Sequence, residues 1–296
     1  MKPLKTWGIA LQSPLKWISD KLNERHFKKE IEELSYDIEK RITETLAPID
    51  EKTAPKEIRP LISAINRLIA YFEDRSAHEQ DFSANASHEL RTPLAGIRLQ
   101  TEIAMSTDDP EIQQKSHRNI LVAVDQNERL IEQLLTLARL TADRVELKMA
   151  TVNLRQLSES VIANLRRMAE DKQIGITLEC PKNLTIHASE ESLSILLHNL
   201  LRNAINHTPE KGGIVVKASG TSKKIELSVI DNGPGIPQDK YDVVLKRFGK
   251  TRSDSTSGSG LGLAIVKRIC DLHHAKLKLD QATQKGGLKI TVIFNR

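Results

Sequence analysis

Apolar residues follow two different periodicities along the chain, and the change between them falls near residue 150. After Pro60 the positions Leu61, Ile65, Leu68 and Phe72 are spaced alternately four and three apart, the heptad signature of a long helix. The register runs on through Arg75 and Glu79 to Phe82 and Ala86, and the polar residues in that stretch predict a looser seam. A second long helix is predicted from about Glu111 to Thr141, where Ile120, Val124, Asn127, Ile131, Leu134 and Ala138 repeat the spacing. Asp108, Asp109 and Pro110 lie between the two helices. Acidic residues and a proline favour a helix start, because they meet its free N–H groups and the positive end of its dipole. Two antiparallel helices with apolar seams make a hairpin, and pairing two hairpins into a four-helix bundle would bury the seam left open. Before Pro60 the chain is charged and helical in pattern, but Pro14, Pro48 and Pro55 break it into segments.

From about Thr151 the texture changes. A helical stretch, Leu154 to Lys172, precedes strand-like IGITLEC and LTIHA, and a helix follows from Glu190 to about Asn206. Two strands are predicted in GIVVKAS and KIELSVI, joined tightly over Gly220 to Lys223. A Gly/Ser-rich stretch ends near Gly260. A helix from Leu261 to Leu272 and strands in AKLKLD and LKITVIF complete the pattern. Helices followed by several strands predict an α/β sandwich, a mostly antiparallel sheet with helices on one face. The expected organisation is a linker over 1–78, a helical hairpin over 79–143 and an α/β domain over 150–296, with no internal repeat.

Composition agrees with this division. The 296 residues are 39% apolar and 28% charged, with only 3% aromatics, which suits helix seams built from Leu, Ile and Ala. The net charge of +5 is spread over interleaved signs, with no basic run flanked by aromatics, so nucleic acid is not an expected partner. Cys180 and Cys270 stand far apart and outside any metal-binding spacing, and both are expected as reduced thiols. No stretch approaches the roughly 20 apolar residues that cross a bilayer. The N-terminus is too short and polar for a signal peptide.

Four motifs carry candidate chemistry. SHELRTPL, Ser87 to Leu94, places His88 off the Ala86–Leu90 seam and therefore toward solvent, where a neutral imidazole is a competent nucleophile. Glu89 beside it can bind the ring N–H and take up its proton; Pro93 loosens the helix one turn on. HNLLRNAINHT, His198 to Thr208, puts Asn199 and Asn203 on one helix face, where two amide oxygens suit Mg²⁺. DNGPGIP, Asp231 to Pro237, follows a strand; Gly233 and Gly235 allow a sharp turn, and the carboxylate can accept a bond from an adenine amine. GSGLGLAIV, Gly258 to Val266, is a glycine-rich run into a helix, suited to phosphates, and it lacks the Walker pattern. Each motif alone reads as readily as ordinary structure: a surface histidine, two surface amides, a turn, a glycine loop. Their joint occurrence in one order does not.

That order resembles the bacterial two-component sensor histidine kinases over roughly residues 75 to 296. The resemblance implies a dimeric helical-hairpin phosphotransfer domain followed by a Bergerat-type ATP-binding domain, shared with gyrase and the Hsp90 chaperones. His88 matches the phosphoacceptor, Glu89 its partner acid, and Thr92 the position that, with the acid, supports dephosphorylation of the regulator. Asn203 matches the Mg²⁺-binding asparagine, with Asn199 one turn before it. Asp231, Gly233 and Gly235 match the adenine pocket; Gly258, Gly260 and Gly262, with Leu261 among them, match the ATP lid. ATP and Mg²⁺ are the implied cofactors, and a homodimer with a cognate response regulator the implied assembly. EIRPLISAINRLIAYFEDR resembles the final helix of a HAMP linker and SPLKWISDKL loosely its first, although a plain coiled-coil arm accounts for the pattern equally well. The implied location is the cytoplasmic side of the inner membrane, with membrane association only through a missing transmembrane segment or a partner.

Four positions depart from the family. Asn206 and His207 stand where a lysine or arginine and a tyrosine are usual. Gly249 replaces an aromatic after Phe248. Lys250 stands where an arginine often reaches the γ-phosphate, keeping the charge without the fork. The expectation is a weaker kinase than average. An ATPase of the same nucleotide fold, and a silent scaffold that only binds or dephosphorylates a regulator, are the rival readings.

Overall fold

The computed structural model describes residues 48–50, 59–141, 146–250, 258–283 and 286–295. The segments before Pro48, the Gly/Ser-rich stretch over 251–257 and the seam side chains at Phe72, Arg75 and Glu79 lie outside the described residues. The chain divides into two compact units, 1–82 and 83–296.

Helix α1 covers Arg59–Ser106. In the first unit its buried positions are Ile62 and Ile69, one heptad apart, with Ile49 beside them. Asn66 ties that segment down through its amide, which accepts from Ile49 N at 2.8 Å and donates to Ile49 O at 2.9 Å. Leu61 and Leu68, expected in the seam, are both 57% exposed. The buried stripe is thus shifted by one residue, because Ile49 covers the neighbouring face of the helix.

In the second unit the hairpin forms as expected. Helix α2 covers Pro110–Thr141, with proline in its first position. Asp109 caps it, its Oδ1 accepting from Glu111 N at 2.8 Å. Gln113 donates to Thr107 O in the connecting turn at 2.8 Å, and Asn119 donates to Gln100 Oε1 at 3.2 Å, which ties α2 to α1. Toward its C-terminal end α2 buries Leu130, Leu137 and Leu140 rather than the expected Ile131 and Ala138. The reason is tertiary. This end packs on a helix of the α/β layer, α6 (Gly262–Leu272), and Arg268 Nε donates to Leu140 O at 2.8 Å.

The α/β layer contains strands β1 (Met149–Asn153), β2 (Gly175–Glu179), β3 (Thr185–Ser189), β4 (Gly213–Gly220), β5 (Lys224–Asp231), β6 (Lys276–Thr283) and β7 (Gly286–Asn295). Its other helices are α3 (Leu154–Glu170), α4 (Glu190–His207) and the short α5 (Tyr241–Val244). Five strands form one sheet in the order β2-β4-β5-β7-β6, parallel only between β2 and β4. Strand β1, which the sequence pattern did not predict, pairs antiparallel with β3. Of its five residues only Val152 is buried, so no alternation announced it.

Alternate residues of β5 (Ile225, Leu227, Val229) and of β7 (Leu288, Ile290, Val292, Phe294) are buried on one side of the sheet. Helix α4 lies between α3 and α6 and buries Leu193, Leu196, Leu197, Leu200, Leu201, Ala204 and Ile205. An apolar set this wide is what lets α4 sit in the middle of the layer while its remaining stripe carries the asparagines. Caps fix the helix ends. Asn153 Oδ1 accepts from Arg155 N and Gln156 N at 3.0 and 3.1 Å, worth about 1 kcal/mol. Lys172 Nζ donates to Ile205 O and Asn206 O at 2.9 and 2.8 Å at the C-terminal end of α4, where a cation also meets the negative end of the dipole.

Among the described residues, no helix is long and apolar enough to cross a membrane.

Candidate nucleotide and phosphotransfer site

Helix α4, the turn after β5, the start of α6 and the hairpin enclose an open cavity of ≈ 780 Å³, within the usual size range of small-ligand sites. On α4, Asn199, Arg202, Asn203 and Asn206 line it at i, i+3, i+4 and i+7, a single stripe. Asn199 is oriented by its own helix: Nδ2 donates to Ile195 O at 2.8 Å, which leaves Oδ1 toward Gly262. The Asn203 side chain makes no hydrogen bond among the described residues, so its amide stays available. Two amide oxygens of this kind fit a hard cation that brings its own phosphates and waters. No group of three or more His, Cys, Asp and Glu side chains that could hold a metal by itself occurs among the described residues.

The turn after β5 is fixed around Asp231. Its Oδ1 accepts from Gly233 N at 2.9 Å and from Leu288 N at 3.1 Å, while Oδ2 has no hydrogen-bond partner among the described residues. Burial pushes the carboxyl above its ordinary range, against the lowering effect of those two N–H groups and of His207. Asn232 is structural: its Oδ1 accepts from Gly213 N at 3.0 Å and closes the β4 and β5 ends. The glycines have steric reasons. Gly235 has φ +74°, and a Cβ there would meet Gly287 O at 2.9 Å; Gly233 O accepts from Gly287 N at 2.8 Å. Gly287 has φ +87°, and a Cβ there would collide with Asp231 O. The Gly286–Gly287 pair is therefore part of the turn, a role the sequence reading missed because it lies more than fifty residues away along the chain.

The lid-flanking segments meet each other and the hairpin. Gly260, at φ +71°, lies against Phe248, where a Cβ would come within 2.6 Å of the backbone. A Cβ at Gly249 would collide with Val243 O, which explains in steric terms why no aromatic stands there. Ser259 Oγ donates to Gln133 Oε1 on α2 at 2.7 Å. Lys250 Nζ donates to both Glu89 oxygens, at 2.8 and 2.7 Å.

Of the residues singled out in the sequence, Glu89, Thr92, Asn199, Asn203, His207, Asp231, Gly235, Lys250, Gly258, Gly260 and Gly262 line this cavity. Three do not. Gly233 is buried under the turn. Leu261 is fully buried, just before α6 begins at Gly262. His88 faces solvent, as its place off the seam predicted, and its carbonyl accepts from Thr92 Oγ1 at 3.2 Å. In this conformation Glu89 is engaged by Lys250.

Two family profiles match the chain: "His Kinase A (phospho-acceptor) domain" over residues 78–143, and "Histidine kinase-, DNA gyrase B-, and HSP90-like ATPase" over residues 188–296. The sensor protein QseC of Salmonella typhi is 34% identical over 83% of this chain and 54% of QseC. The sensor protein BasS of Salmonella typhimurium is 32% identical over 92% of this chain and 75% of BasS. Among solved structures, full-length ShkA in complex with AMPPNP is 27% identical, covers 73% of this chain and 45% of its own, and superposes with a TM-score of 0.53. The chain spans about half the length of several curated relatives it matches, QseC among them.

Proposed function

The chain belongs to the bacterial two-component sensor histidine kinases, and on that footing we propose that it uses ATP with Mg²⁺ to phosphorylate its own His88 and passes the group to an aspartate of a response regulator. The observation that carries the reading is the single cavity in which Asp231, the Asn199/Asn203 stripe, the lid glycines and the Glu89–Thr92 turn of α1 meet.

Asp231 Oδ2 is the acceptor for the adenine amine, and Gly235 lets the flat ring approach the backbone. The oxygens of Asn203 and Asn199 would hold Mg²⁺, which supplies charge neutralisation at the phosphates. A ring nitrogen of His88 attacks the γ-phosphorus in line. The bond from that phosphorus to the β–γ bridging oxygen breaks, and ADP leaves with the electron pair. The proton on the other ring nitrogen passes to Glu89. Glu89 must first leave Lys250, so the Lys250–Glu89 pair belongs to a conformation that precedes or follows transfer. With Glu89 and Thr92 both at the cavity wall, the same turn can position a water for the reverse, dephosphorylating reaction. ShkA, whose structure contains AMPPNP, supports the nucleotide assignment. Leu94, Leu99, Leu121, Val122 and Leu135, all exposed on the hairpin, support a homodimer that buries them.

The test is incubation with γ-labelled ATP and Mg²⁺. Acid-labile, base-stable label on the protein, absent in His88→Gln, is the expected result. Label that persists in His88→Gln would overturn the assignment.

A further inference from the structure

Arg202 stands between Asn199 and Asn203 on the stripe of α4 that faces the cavity, and Arg129 of α2 lines the same cavity from the hairpin. Each guanidinium has five N–H donors. Among the described residues neither donates a hydrogen bond nor takes part in an ion pair. Arg202 is half-buried, which lowers its pKa; the largest charge effect on it is repulsion from Arg129, greater than the attraction of Glu132. Two guanidiniums that line one cavity with their side-chain donors unused are suited to an anion with several acceptor oxygens. The other charges in the cavity agree. The Glu89 carboxylate is taken by Lys250, and Asp231 lies in the turn after β5 with its Oδ1 bound to backbone N–H groups.

We propose that Arg129 and Arg202 form a two-guanidinium site for the terminal phosphates of the nucleotide, with Arg202 on the β- and γ-phosphates and Arg129 on the γ-phosphate alone. This rests on the nucleotide reading of the cavity. The assignment within the pair follows from position. Asp231 sets the adenine end, Arg202 shares the stripe of the asparagines that would hold Mg²⁺, and Arg129 comes from the hairpin, whose Glu89 and Thr92 line the same cavity. The site also answers the departure at Asn206. The stripe has no cation at 206, but it carries one a turn earlier at 202, and a second comes from the hairpin. A hairpin arginine on the γ-phosphate makes ATP, but not ADP, bridge the hairpin and the α/β layer.

The experiment is calorimetric titration of the whole chain with AMPPNP and with ADP, each with Mg²⁺, for the parent, Arg129→Gln, Arg202→Gln and Arg202→Lys, with a thermal melt of each as a folding control. Arg129→Gln is expected to weaken AMPPNP roughly tenfold and to leave ADP within about twofold, and Arg202→Gln to weaken both roughly tenfold. Arg202→Lys should recover part of the loss, since it keeps charge and loses the fork. Unchanged AMPPNP affinity in both glutamine variants, with the parent binding normally, overturns the arginine site and leaves the kinase reading intact. Equal loss of AMPPNP and ADP in Arg129→Gln overturns the assignment of Arg129 to the γ-phosphate. No nucleotide binding by the parent overturns both readings.

Discussion

Helix α4 and the hairpin helices α1 and α2 have similar apolar content but use it in opposite ways. Over 18 residues α4 buries eight side chains, and its apolar set is wide enough to meet α3 and α6 and the sheet at once. Over 32 residues α2 buries four, three of them near its C-terminal end where it packs on α6, while Leu121, Val122 and Leu135 stay exposed. The first helix has found its neighbours within one chain. The second displays a surface that, on the dimer reading, a second copy covers. Stability in one chain therefore resides in the α/β layer, and the hairpin depends on what it packs against.

Two substitutions break this comparison most sharply. Leu200→Ala removes a side chain that is 1% exposed and is expected to cost about 2–5 kcal/mol, read as a lower urea midpoint. Leu99→Ala removes one that is 54% exposed and should change the same midpoint by less than about 0.5 kcal/mol at protein concentrations where the chain is monomeric. A large effect of Leu99→Ala under dilution would mean that the hairpin face is covered within the chain. Loss of sedimenting dimer in Leu99→Ala at higher concentration would locate the dimer contact there.

A smaller effect, of opposite sign, sharpens the contrast between fold and site. Burial raises the Asp231 pKa, so its ionised form is disfavoured in the folded chain. For a carboxyl of raised pKa, the folded state holds its proton more tightly. Its contribution is present below the unfolded value of 3.8 and is lost as pH rises through the folded value, so at neutral pH the charge destabilises the nucleotide-free chain. Asp231→Asn keeps an oxygen for Gly233 N and Leu288 N and removes the charge. The melting temperature should rise without nucleotide, while ATP affinity falls roughly tenfold to a hundredfold. A lower melting temperature would show that the two N–H bonds need the carboxylate.

The same division decides what could be read from sequence. The α4 stripe, the turn at DNGPGIP and the exposed His88 were legible, because each depends on residues within one or two helical turns or one tight turn. The seam positions Ile131 and Ala138 stay exposed within one chain, because a heptad pattern cannot say which of two neighbours a helix will meet, and α6 takes the adjacent face. Gly287, Arg129 and the Lys250–Glu89 pair were not legible as site features for a related reason. Lys250 and Glu89 are 161 residues apart, and a lysine before a glycine-rich loop carries no mark of a carboxylate on another domain. Strand β1 escaped because one buried valine makes no alternation.

The smallest predicted effect lies where the two ends of the α/β layer are joined. His273 follows the last turn of α6; its Nδ1 is 2.9 Å from Ile269 O, a carbonyl that can only accept, so Nδ1 carries the proton. Its Nε2 then accepts from Ser189 N at 3.2 Å, and Ser189 is the residue whose side chain caps α4 through Ser192 N. Beside the ring lie the edge of Phe294 and the charge of His274. Burial, with His274 adding to it, lowers the pKa of His273 below 6.5 against the raising effect of the bond to Ile269 O. Protonation would aim an N–H at an N–H and loosen the start of the helix that carries Asn199 and Asn203. With the folded pKa depressed, the contribution is present above pH 6.5 and lost as pH falls through the folded value, at no more than about 1.4 kcal/mol per pH unit for one proton. His198, lowered by burial and by Arg202, adds a slope of the same sign. Urea midpoints measured from pH 7.5 down to 5 should therefore decline, and His273→Gln should flatten the decline only in part, leaving the share of His198. An unchanged slope in His273→Gln would mean that the ring takes up its proton equally in the folded and unfolded chain and that the Ser189 contact does not hold α4 in place.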